Sequence, residues 1–476
     1  MSKPRINFLS QDELDTIHNA ALGVLEKTGV RVLSKQALDI LKKAGAKVDY
    51  TSNHASIPRQ VVQEALNMAP KTITYAARDP KHDLLLNKQK SHFLASGGPP
   101  FMLDWETGEH RYSTTEDIVR CCTIADSLDH VDLIWPLATA MDVPAPIRYI
   151  VETYTCLKSS GKHFEGDTTT AKEAQYQIEI AAAIVGGREE LRKRPIFSQV
   201  ICTLSPLSYD KGATEASIEL AKAGIPAAIY PMPATGETSP VTLAGTMVMN
   251  DAEFLGGLVI QEFASPGAPV VYATDAGTVD FKSGATIPSP EGSLIHLALN
   301  QLGHYHDLPS QVGVTGGSAS KLLDTQAGYE KARTILTHLL TTPDIARSLG
   351  GLERGRMTSL EAFVIDNEII DYALRFAQGL EVNAETMAVD VINKVGPGGI
   401  FLGEKHTLKH FRERWMSRLS DIDSFETWQK KGSKSIAEVA HEKVKEILAT
   451  HKVEPIPEDI QKEISKILKR AEADLL

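Results

Sequence analysis

The stretch SQVGVTGGSASKLLDTQAGYE, residues 310–330, begins as a short strand, breaks at a pair of glycines and continues as an amphipathic helix. The strand residues are Val312 and Val314, and the glycines are Gly316 and Gly317. Two missing Cβ atoms at the rim of a sheet or barrel let a flat ligand approach the backbone closely. A plain turn between a strand and a helix is the alternative. The stretch therefore predicts one strand–turn–helix unit of an α/β fold.

The same alternation of strands and helices continues on both sides of this stretch. Eight candidate strands with helices between them are the number that a (β/α)8 TIM barrel needs. A doubly wound open sheet is the alternative, but no G-x-G-x-x-G pattern follows the first strand to support it. The candidate strands span residues 133–139, 163–166, 196–203, 226–231, 269–274, 311–315, 346–350 and 357–361.

The flanks of this alternation predict three parts of the chain. Residues 1–114 are expected to form N-terminal helices and a β-hairpin arm, with Ser10 and Glu13 as a capping box at the first helix. Residues 115–382 are expected to form the barrel. Residues 383–476 are expected to form a C-terminal helical extension.

Composition and charge exclude several classes of protein. The hydrophobic fraction of 42% and the charged fraction of 23% are typical of a soluble globular protein. A formal net charge of -11 argues against a nucleic-acid groove and against an anionic membrane surface. The four cysteines have no zinc-type spacing, and the start of the chain leads into no signal-like apolar core. We therefore expect a cytoplasmic protein that binds neither nucleic acid nor membrane.

Active sites of such barrels lie at the carboxyl ends of the strands. The predicted strand ends bring together aromatic rings and carboxylates, and rings that face a pocket bind a quaternary ammonium by cation–π attraction. Packing in the core is the alternative role for each ring. The candidates for this pocket are Phe164, Glu165, Tyr230, Asp275 and Glu361, with the hydroxyls of Thr203 and Thr315 beside them.

Three other features have a simpler explanation than chemistry. His304 and His306 resemble a metal pair but lie before a strand, on the opposite rim, and lack a third ligand. Cys202 fits a small buried hydrophobic residue better than a nucleophile. Lys321 can form a Schiff base in principle, but nothing nearby marks a desolvated pocket that would lower its pKa. We expect no metal site.

Several motifs resemble the trimethylamine methyltransferase-like superfamily, whose members move a methyl group from a methylated amine to a corrinoid protein. The resemblance covers nearly the whole chain and is specific only as a combination. The motifs are Thr28-Gly29-Val30, Ser96-Gly97-Gly98, residues 316–330, Ser359-Leu360-Glu361 and the segment from His406 to Trp428. The resemblance implies a (β/α)8 barrel.

The founding trimethylamine enzymes carry pyrrolysine near the end of the sixth strand, whereas the positions around Thr315 are ordinary residues here. This difference favours the non-pyrrolysine branch, which resembles demethylases of quaternary amines. The resemblance then implies transfer of a methyl group from glycine betaine to a cob(I)alamin, giving dimethylglycine and methylcobalamin. Proline betaine and carnitine are alternative substrates.

The resemblance also implies roles for the candidate residues and a partner. The corrinoid (cobalamin) is expected on a cognate corrinoid protein, and the chain is expected to form a homo-oligomer. The predicted catalytic residues are Asp275 and Glu361; the substrate-binding residues are His163, Phe164, Glu165, Thr203, Tyr230, Thr315 and Arg356; and the glycines that leave room for the macrocycle are Gly97, Gly98, Gly316, Gly317, Gly350 and Gly351.

Two other kinds of function remain open at this point. One is a barrel lyase or aldolase that uses Lys321 or the strand-end carboxylates, which borohydride trapping would reveal. The other is a non-catalytic subunit that only binds a corrinoid protein. Such a subunit would bind its partner tightly and demethylate no amine.

Overall fold

Eight parallel strands close into a barrel in the computed structural model, which describes residues 3–95, 97–313 and 317–476. The ring is closed where His92 pairs with Ile345 and Leu94 pairs with Leu133. The predicted (β/α)8 barrel is thus confirmed. The barrel strands are β1 (His92–Ala95), β2 (Leu133–Ile134), β3 (His163–Asp167), β4 (Phe197–Cys202), β5 (Ala227–Tyr230), β6 (Val270–Thr274), β7 (Ser310–Val312) and β8 (Ile345–Leu349).

The identity of the first and last strands corrects the prediction. Strand β1 lies inside the segment 1–114 that was expected to precede the barrel. The segment 357–361 was predicted as the eighth strand, but Met357–Thr358 pairs with Phe101–Leu103 outside the barrel, and a helix begins at Leu360. His92–Ala95 and Met357–Thr358 are both extended, as their residue types predict. Which partner an extended segment takes depends on residues far away in the chain.

Helices surround the barrel and form most of both extensions. Many begin at a Ser, Thr or Asp whose side chain accepts a hydrogen bond from the first turn, as at Ser10, Thr114 and Thr170. The helices are α1 (Gln11–Lys27), α2 (Lys35–Ala44), α3 (Arg59–Met68), α4 (Thr115–Ser127), α5 (Arg148–Ser159), α6 (Ala171–Val185), α7 (Arg188–Lys193), α8 (Lys211–Ala223), α9 (Leu243–Ala264), α10 (Pro290–Tyr305), α11 (Thr325–Leu339), α12 (Leu360–Ala377), α13 (Ala384–Met387), α14 (Val389–Val395), α15 (Lys405–His410), α16 (Phe425–Lys430), α17 (Ile436–Thr450) and α18 (Glu458–Leu475).

Four small sheets lie outside the barrel. One joins the N-terminal extension to the barrel, and a hairpin covers the amino-terminal end of the barrel. The other two follow strand ends on the carboxyl side. Their strands are Val30–Val32, Lys47–Asp49, His54–Ser56 and Ser208–Tyr209 in the first sheet; Ile73–Tyr75 and Leu84–Leu86 in the hairpin; Ala234–Thr235, Gly277–Asp280 and Ala285–Ile287 in the third; and Phe101–Leu103, His110–Tyr112, Gly351–Leu352 and Met357–Thr358 in the fourth.

Helix α9 is long and apolar enough to span a membrane by composition alone. It is mostly buried, however, and packs against α1, α3, α8 and α10. An apolar helix that is covered on all sides is typical of the interior of a large soluble fold.

The barrel interior is a separate apolar core between its two ends. Leu94, Val200, Ala228, Val271 and Ile345 fill it, and all are buried. Strand residues alternate between this interior and the surrounding helices. The phase of this alternation decides which side chains reach the active-site end.

Candidate active site

Six side chains from six strands meet at the carboxyl ends of the barrel, which we call the mouth. They combine two aromatic rings, two carboxyls, one guanidinium and one thiol. No single stretch of the sequence holds more than one of them. The mouth residues are Trp135 after β2, Asp167 in β3, Cys202 in β4, Tyr230 in β5, Asp275 after β6 and Arg347 in β8.

Arg347 lies at the centre of this group. Its guanidinium is ion-paired with Asp275, and its carbon Cζ lies 4.8 Å from the ring centre of Tyr230 and 5.1 Å from that of Trp135. Burial lowers the pKa of Arg347, but Asp275 together with Tyr230, Cys202 and Glu165 outweighs burial and holds this pKa above its ordinary value. Tyr230 and Asp275, which were predicted to bind a foreign cation, therefore already contact a cation of the protein itself.

Asp167 is the second carboxyl of the mouth and is held by Trp135. The indole Nε1–H donates a hydrogen bond of 2.6 Å to Asp167 Oδ2. Burial raises the pKa of Asp167 to about 6, against the opposing effects of Trp135 and Arg347. At neutral pH the Asp167 side chain is mainly a carboxylate. Since Asp275 already neutralises Arg347, Asp167 gives the mouth a net negative charge.

Cys202 shows that the mouth is open. It ends β4 inside the ring of strands, yet it is exposed to solvent. Dense protein around it raises the pKa of its thiol to about 12, and Asp167 adds to this effect. Cys202 is therefore a neutral thiol near pH 7, which makes it a poor nucleophile and a poor metal ligand.

A buried chain of polar groups lies beneath the mouth. His163 Nδ1 donates to the carbonyl of Ala76 at 2.6 Å, and burial lowers the pKa of His163 to about 3, so its Nε2 is an acceptor. Ser198 Oγ lies 2.9 Å from that Nε2 and 3.3 Å from Glu165 Oε2. Since the hydroxyl has one proton, it donates either to His163 Nε2 or to the Glu165 carboxylate, and both contacts are hydrogen bonds at once only when Glu165 is itself protonated.

The protonation of Glu165 agrees with its surroundings. The side chain is fully buried, and Gln311 Nε2 donates to its other oxygen at 2.6 Å. Burial raises the pKa of Glu165 to about 7, more than Gln311 and Arg347 lower it. Near pH 7 the Glu165 side chain is therefore protonated in about half of the molecules. It lies below the mouth, one layer beneath Asp167 on the same strand.

Several buried polar atoms near the mouth have no hydrogen-bond partner among the described residues. They include Arg347 Nε, Asp275 Oδ1 and Gln311 Oε1. An unpaired buried polar atom costs about 1–3 kcal/mol, so groups of them in one place point to a missing ligand or water. The mouth thus offers both a donor and an acceptor.

A cavity of about 240 Å³ opens beside Asp275. It lies between the loops after β5, β6 and β7 and the first turn of α10. Its lining is mostly apolar and includes Met232, His296, Gly317 and Arg333. Asp275 therefore faces both Arg347 and a space that can hold the body of a small substrate.

The structure places the predicted pocket residues in three groups. Tyr230 and Asp275 lie at the mouth as predicted, and Glu165 lies directly beneath it. Thr203 directly follows its strand but donates its hydroxyl to Glu253 of α9 at 2.5 Å. Thr315 lies outside the described residues.

Four predicted residues lie elsewhere. Phe164 points outward into the core between barrel and helices, because it alternates with the inward-facing Glu165. His163 faces inward but at the amino-terminal end, where it stacks on Tyr75 at 4.3 Å. Arg356 is exposed and pairs with Glu353, while Glu361 begins α12 and bonds Ser359 and His441.

The predicted glycines are explained largely by the packing of the protein itself. A Cβ at Gly97 would lie 2.6 Å from the Trp135 ring, and one at Gly350 would clash with Phe363. Gly98 has a positive φ of 47°, which favours glycine. Gly317 lines the cavity, Gly351 begins a short buried strand, and Gly316 lies outside the described residues.

Sequence reasoning missed Trp135, Asp167 and Arg347. Asp167 had a usable signal, because it follows Glu165 by two residues and so faces the same side of a strand. Arg347 sits in the run IARSL, where a charged residue within an apolar strand also marks an inward polar site. Lys321, the alternative nucleophile, is exposed and donates to the carbonyl of Ala319, so nothing desolvates it.

The closed barrel with a polar, open mouth at its carboxyl ends defines an enzyme of the (β/α)8 class. Residues 1–475 match a family model described as trimethylamine methyltransferase (MTTB). The chain belongs to this family, as its motifs indicated, and it is a methyltransferase.

The relatives include enzymes for two different amines. The chain is 34% identical to trimethylamine methyltransferase MttB of Desulfitobacterium hafniense, over 97% of this chain and 93% of that one. It is 32% identical to a glycine betaine methyltransferase of the same species, over 94% and 93%. The monomethylamine methyltransferase MtmB of Methanosarcina barkeri has the same fold, with a TM-score of 0.54, 12% identity and coverage of 99% and 88%.

Proposed function

We propose that the protein demethylates a betaine, with glycine betaine as the first candidate, and passes the methyl group to the cob(I)alamin of a partner corrinoid protein. Dimethylglycine is the expected product. The observation that carries this proposal is the guanidinium of Arg347, which lies at the mouth among rings and carboxyls. A betaine has one positive and one negative end, and the mouth has groups for both.

The carboxylate of a betaine is the end that Arg347 selects. Its Nε–H has no partner among the described residues, and a guanidinium binds a carboxylate through paired hydrogen bonds. Arg356, the predicted partner of this carboxylate, is too exposed and too far out to serve. Arg347 replaces it in this role.

The quaternary ammonium is the end that the rings and Asp167 select. Trp135 and Tyr230 present aromatic surface, and Asp167 adds a carboxylate that no cation of the protein contacts among the described residues. A desolvated cation over a ring is stabilised by about 2 kcal/mol. The neighbouring cavity at Asp275 gives space for larger betaines such as proline betaine or carnitine.

The same guanidinium disfavours a substrate that is only cationic. Two like charges 4 Å apart repel by about 4 kcal/mol at the effective dielectric constant of about 20 that suits such sites. For protonated trimethylamine or choline, only Asp275 and Asp167 offset this repulsion, whereas a betaine offsets it with its own carboxylate as well. This balance favours the betaine relatives over the trimethylamine relatives.

The proposed reaction requires no general acid from the protein. A quaternary amine leaves as a neutral tertiary amine, so no proton has to be delivered to it. The corrinoid, when bound, supplies the nucleophile that accepts the methyl group. The chain binds and orients the substrate and excludes water from it, while Asp275 positions Arg347.

The mouth fits a corrinoid that arrives from outside. Cys202 is exposed at its floor, and the rim at Gly98 is bare, since a Cβ there would meet only Thr139 Oγ1 at 3.6 Å. Gly97, Gly98 and Gly317 are the rim glycines that would face the partner protein's cofactor. Gly350 and Gly351 serve packing instead.

We also propose that a second copy of the chain covers the segment 380–435, which we call the arm. Residues 374–439 include no buried residue among those described, although the arm carries many large apolar side chains, of which Ile400, Leu402 and Leu408 are 76%, 84% and 72% exposed. The arm has nine lysines and arginines against eight acids, whereas the chain has 50 against 61. The excess of acidic residues therefore lies in the rest of the chain. This negative charge favours contact with the slightly basic arm of a second copy.

The place where the arm begins lies away from a corrinoid protein docked at the mouth, whereas the arm ends near the mouth side, where His441 of the next helix bonds Glu361. Helix α12 runs toward the amino-terminal end of the barrel, because Asp371 near its end bonds His130, which precedes β2. The arm thus leaves from the face opposite the mouth. A partner protein that docks at the mouth leaves the first residues of the arm uncovered.

The test of the proposed function is a substrate panel with the purified chain, a corrinoid protein and a reductant. Mass spectrometry would measure demethylated products from glycine betaine, proline betaine, carnitine, choline and trimethylamine. We expect turnover only of substrates that carry a carboxylate. Equal or faster turnover of trimethylamine or choline would overturn the proposal.

A further inference from the structure

We propose that the arm holds a divalent transition-metal ion, of the zinc class, between His406, His410 and Glu385. One ligand atom from each of the three residues lies within 4.8 Å of the others. Two imidazoles and one carboxylate, with a position left for water, are a common ligand set for Zn²⁺. This site is separate from the mouth and independent of the proposed function.

The two histidines have the spacing that places them on one face of a helix. His406 and His410 are four residues apart in α15, and their ring centres lie 4.4 Å apart. Glu385 comes from α13, so the site would join two helices of the arm. His410 Nε2 lies 3.1 Å from Glu385 Oε1, and His406 Nε2 lies 3.1 Å from the carbonyl oxygen of Glu385.

A further carboxylate orients one of these ligands. His410 Nδ1 lies 2.9 Å from Glu413 Oε1, so Glu413 accepts the proton of that nitrogen and leaves Nε2 facing Glu385. A carboxylate behind a histidine ligand is the usual arrangement in metal sites, where it fixes the tautomer of the ring. The presence of Glu413 behind His410 distinguishes this cluster from a chance grouping of charged surface residues.

The arm also needs such a link. It forms four short helices but has no buried residue of its own among those described. Segments that cannot bury a core are commonly held by a metal, whose binding free energy becomes folding free energy. The cation now at Glu385 is Lys409, whose Nζ lies 2.6 Å from Oε1 and would be displaced.

The other histidine–carboxylate cluster of the described residues fits a metal less well. His18, Asp251 and His306 are all buried, and His306 Nε2 bonds Asp251 Oδ1 at 2.8 Å. Tyr272 Oη adds a contact of 3.3 Å to the same oxygen. These bonds satisfy Asp251 and join α1 to α9 without an ion.

The experiment is a metal-binding measurement on the full chain, produced without a histidine tag. Chelator-treated protein is loaded with Zn²⁺, passed through a desalting column and analysed by elemental mass spectrometry. We expect one zinc per chain and a Co²⁺ form with the intense visible bands of a tetrahedral site. Zinc should also slow proteolysis within residues 385–413.

The variants locate the site. His406→Ala and His410→Ala should lose the zinc, whereas Glu413→Gln should weaken binding by about 10- to 100-fold. Lys409→Ala, which removes the competing cation, should bind at least as tightly as the native chain. His451→Ala is the matched control, since it removes a histidine–carboxylate pair with Asp126 elsewhere on the surface.

Two results would overturn the assignment. One is a native chain that binds no more zinc than the double variant His406→Ala/His410→Ala. The other is a double variant that keeps its zinc, which would place the metal elsewhere, for instance at His18 and His306. Because the residues of the arm are exposed, circular dichroism should show the native chain and the double variant equally folded.

Discussion

Arg347 and Asp275 form an ion pair across the mouth of the barrel, joining the last strand to the end of the sixth. The pair occupies the place where the sequence predicted a site for a foreign cation. On the proposed function, an arginine held there beside two rings makes the mouth a site for zwitterions rather than for simple cations. Substitutions of Arg347, of its neighbours and of the arm test this arrangement.

Replacing Arg347 should affect substrates with a carboxylate most. A hydrogen bond to a charged group contributes about 1.5–3 kcal/mol, so Arg347→Gln should raise the KM for glycine betaine about ten- to hundredfold. Arg356→Gln is the matched control and should leave this KM unchanged. Steady-state kinetics with dimethylglycine as the measured product would check both. An unaltered KM in Arg347→Gln would remove this arginine from the substrate site.

The Tyr230 ring should matter more than its hydroxyl. Cation–π attraction contributes about 0.5–2 kcal/mol, so Tyr230→Leu should raise the KM about two- to thirtyfold. Tyr230→Phe keeps the ring and should change the KM little. The same kinetic assay compares the two variants. A larger loss in Tyr230→Phe than in Tyr230→Leu would show that the hydroxyl, not the ring, binds the substrate.

The protonation of Glu165 should make stability depend on pH. Its pKa is raised by burial to about 7, from an ordinary value near 4.5. The folded state therefore keeps a proton that the unfolded state releases, so stability is complete below pH 4.5 and falls as the pH rises to 7. The loss above pH 7 is about 3 kcal/mol at most.

Glu165→Gln should remove this dependence. The amide keeps the shape of the neutral acid and can still donate to Ser198, so the variant should be more stable than the native chain above pH 7 and equal to it below pH 4.5. Denaturant unfolding at several pH values measures the difference. The exposed Glu237→Gln serves as a control. Parallel pH curves for Glu165→Gln and the native chain would contradict a protonated Glu165.

Polar substitutions in the arm should weaken self-association. Ile400→Ser with Leu402→Ser removes two of the most exposed apolar side chains of the chain. Sedimentation velocity should show the native chain as an oligomer and this variant as smaller species at the same concentration. Leu85→Ser, exposed on the hairpin at the amino-terminal end, should leave the size unchanged. A native chain that sediments as a monomer would rule out a second copy on the arm.

Local patterns in the sequence were enough for much of the fold. Alternating apolar strands and amphipathic helices predicted the barrel, because these periods follow from backbone geometry alone. The rule that barrels place their sites at strand ends then found Tyr230 and Asp275. Both depend only on a few neighbouring residues.

The choice of strand partners was beyond such patterns. His92–Ala95 and Met357–Thr358 are both extended, yet only the first closes the barrel, by pairing with Ile345. Pairing of parallel strands joins segments hundreds of residues apart, and the strands themselves carry no sign of their partner. The prediction therefore assigned both segments wrongly.

The sequence by itself determined the class of fold, the end of the barrel that carries the candidate site and two residues of the mouth, Tyr230 and Asp275, since each follows from local periodicity. The tertiary structure alone decided that Phe164 faces the helices while Asp167 faces the mouth, because a shift of one residue in register reverses every side chain of a strand. It also decided that Arg347 reaches Asp275. Strands β6 and β8 both pair with β7, and this pairing places the Arg347 guanidinium beside Asp275.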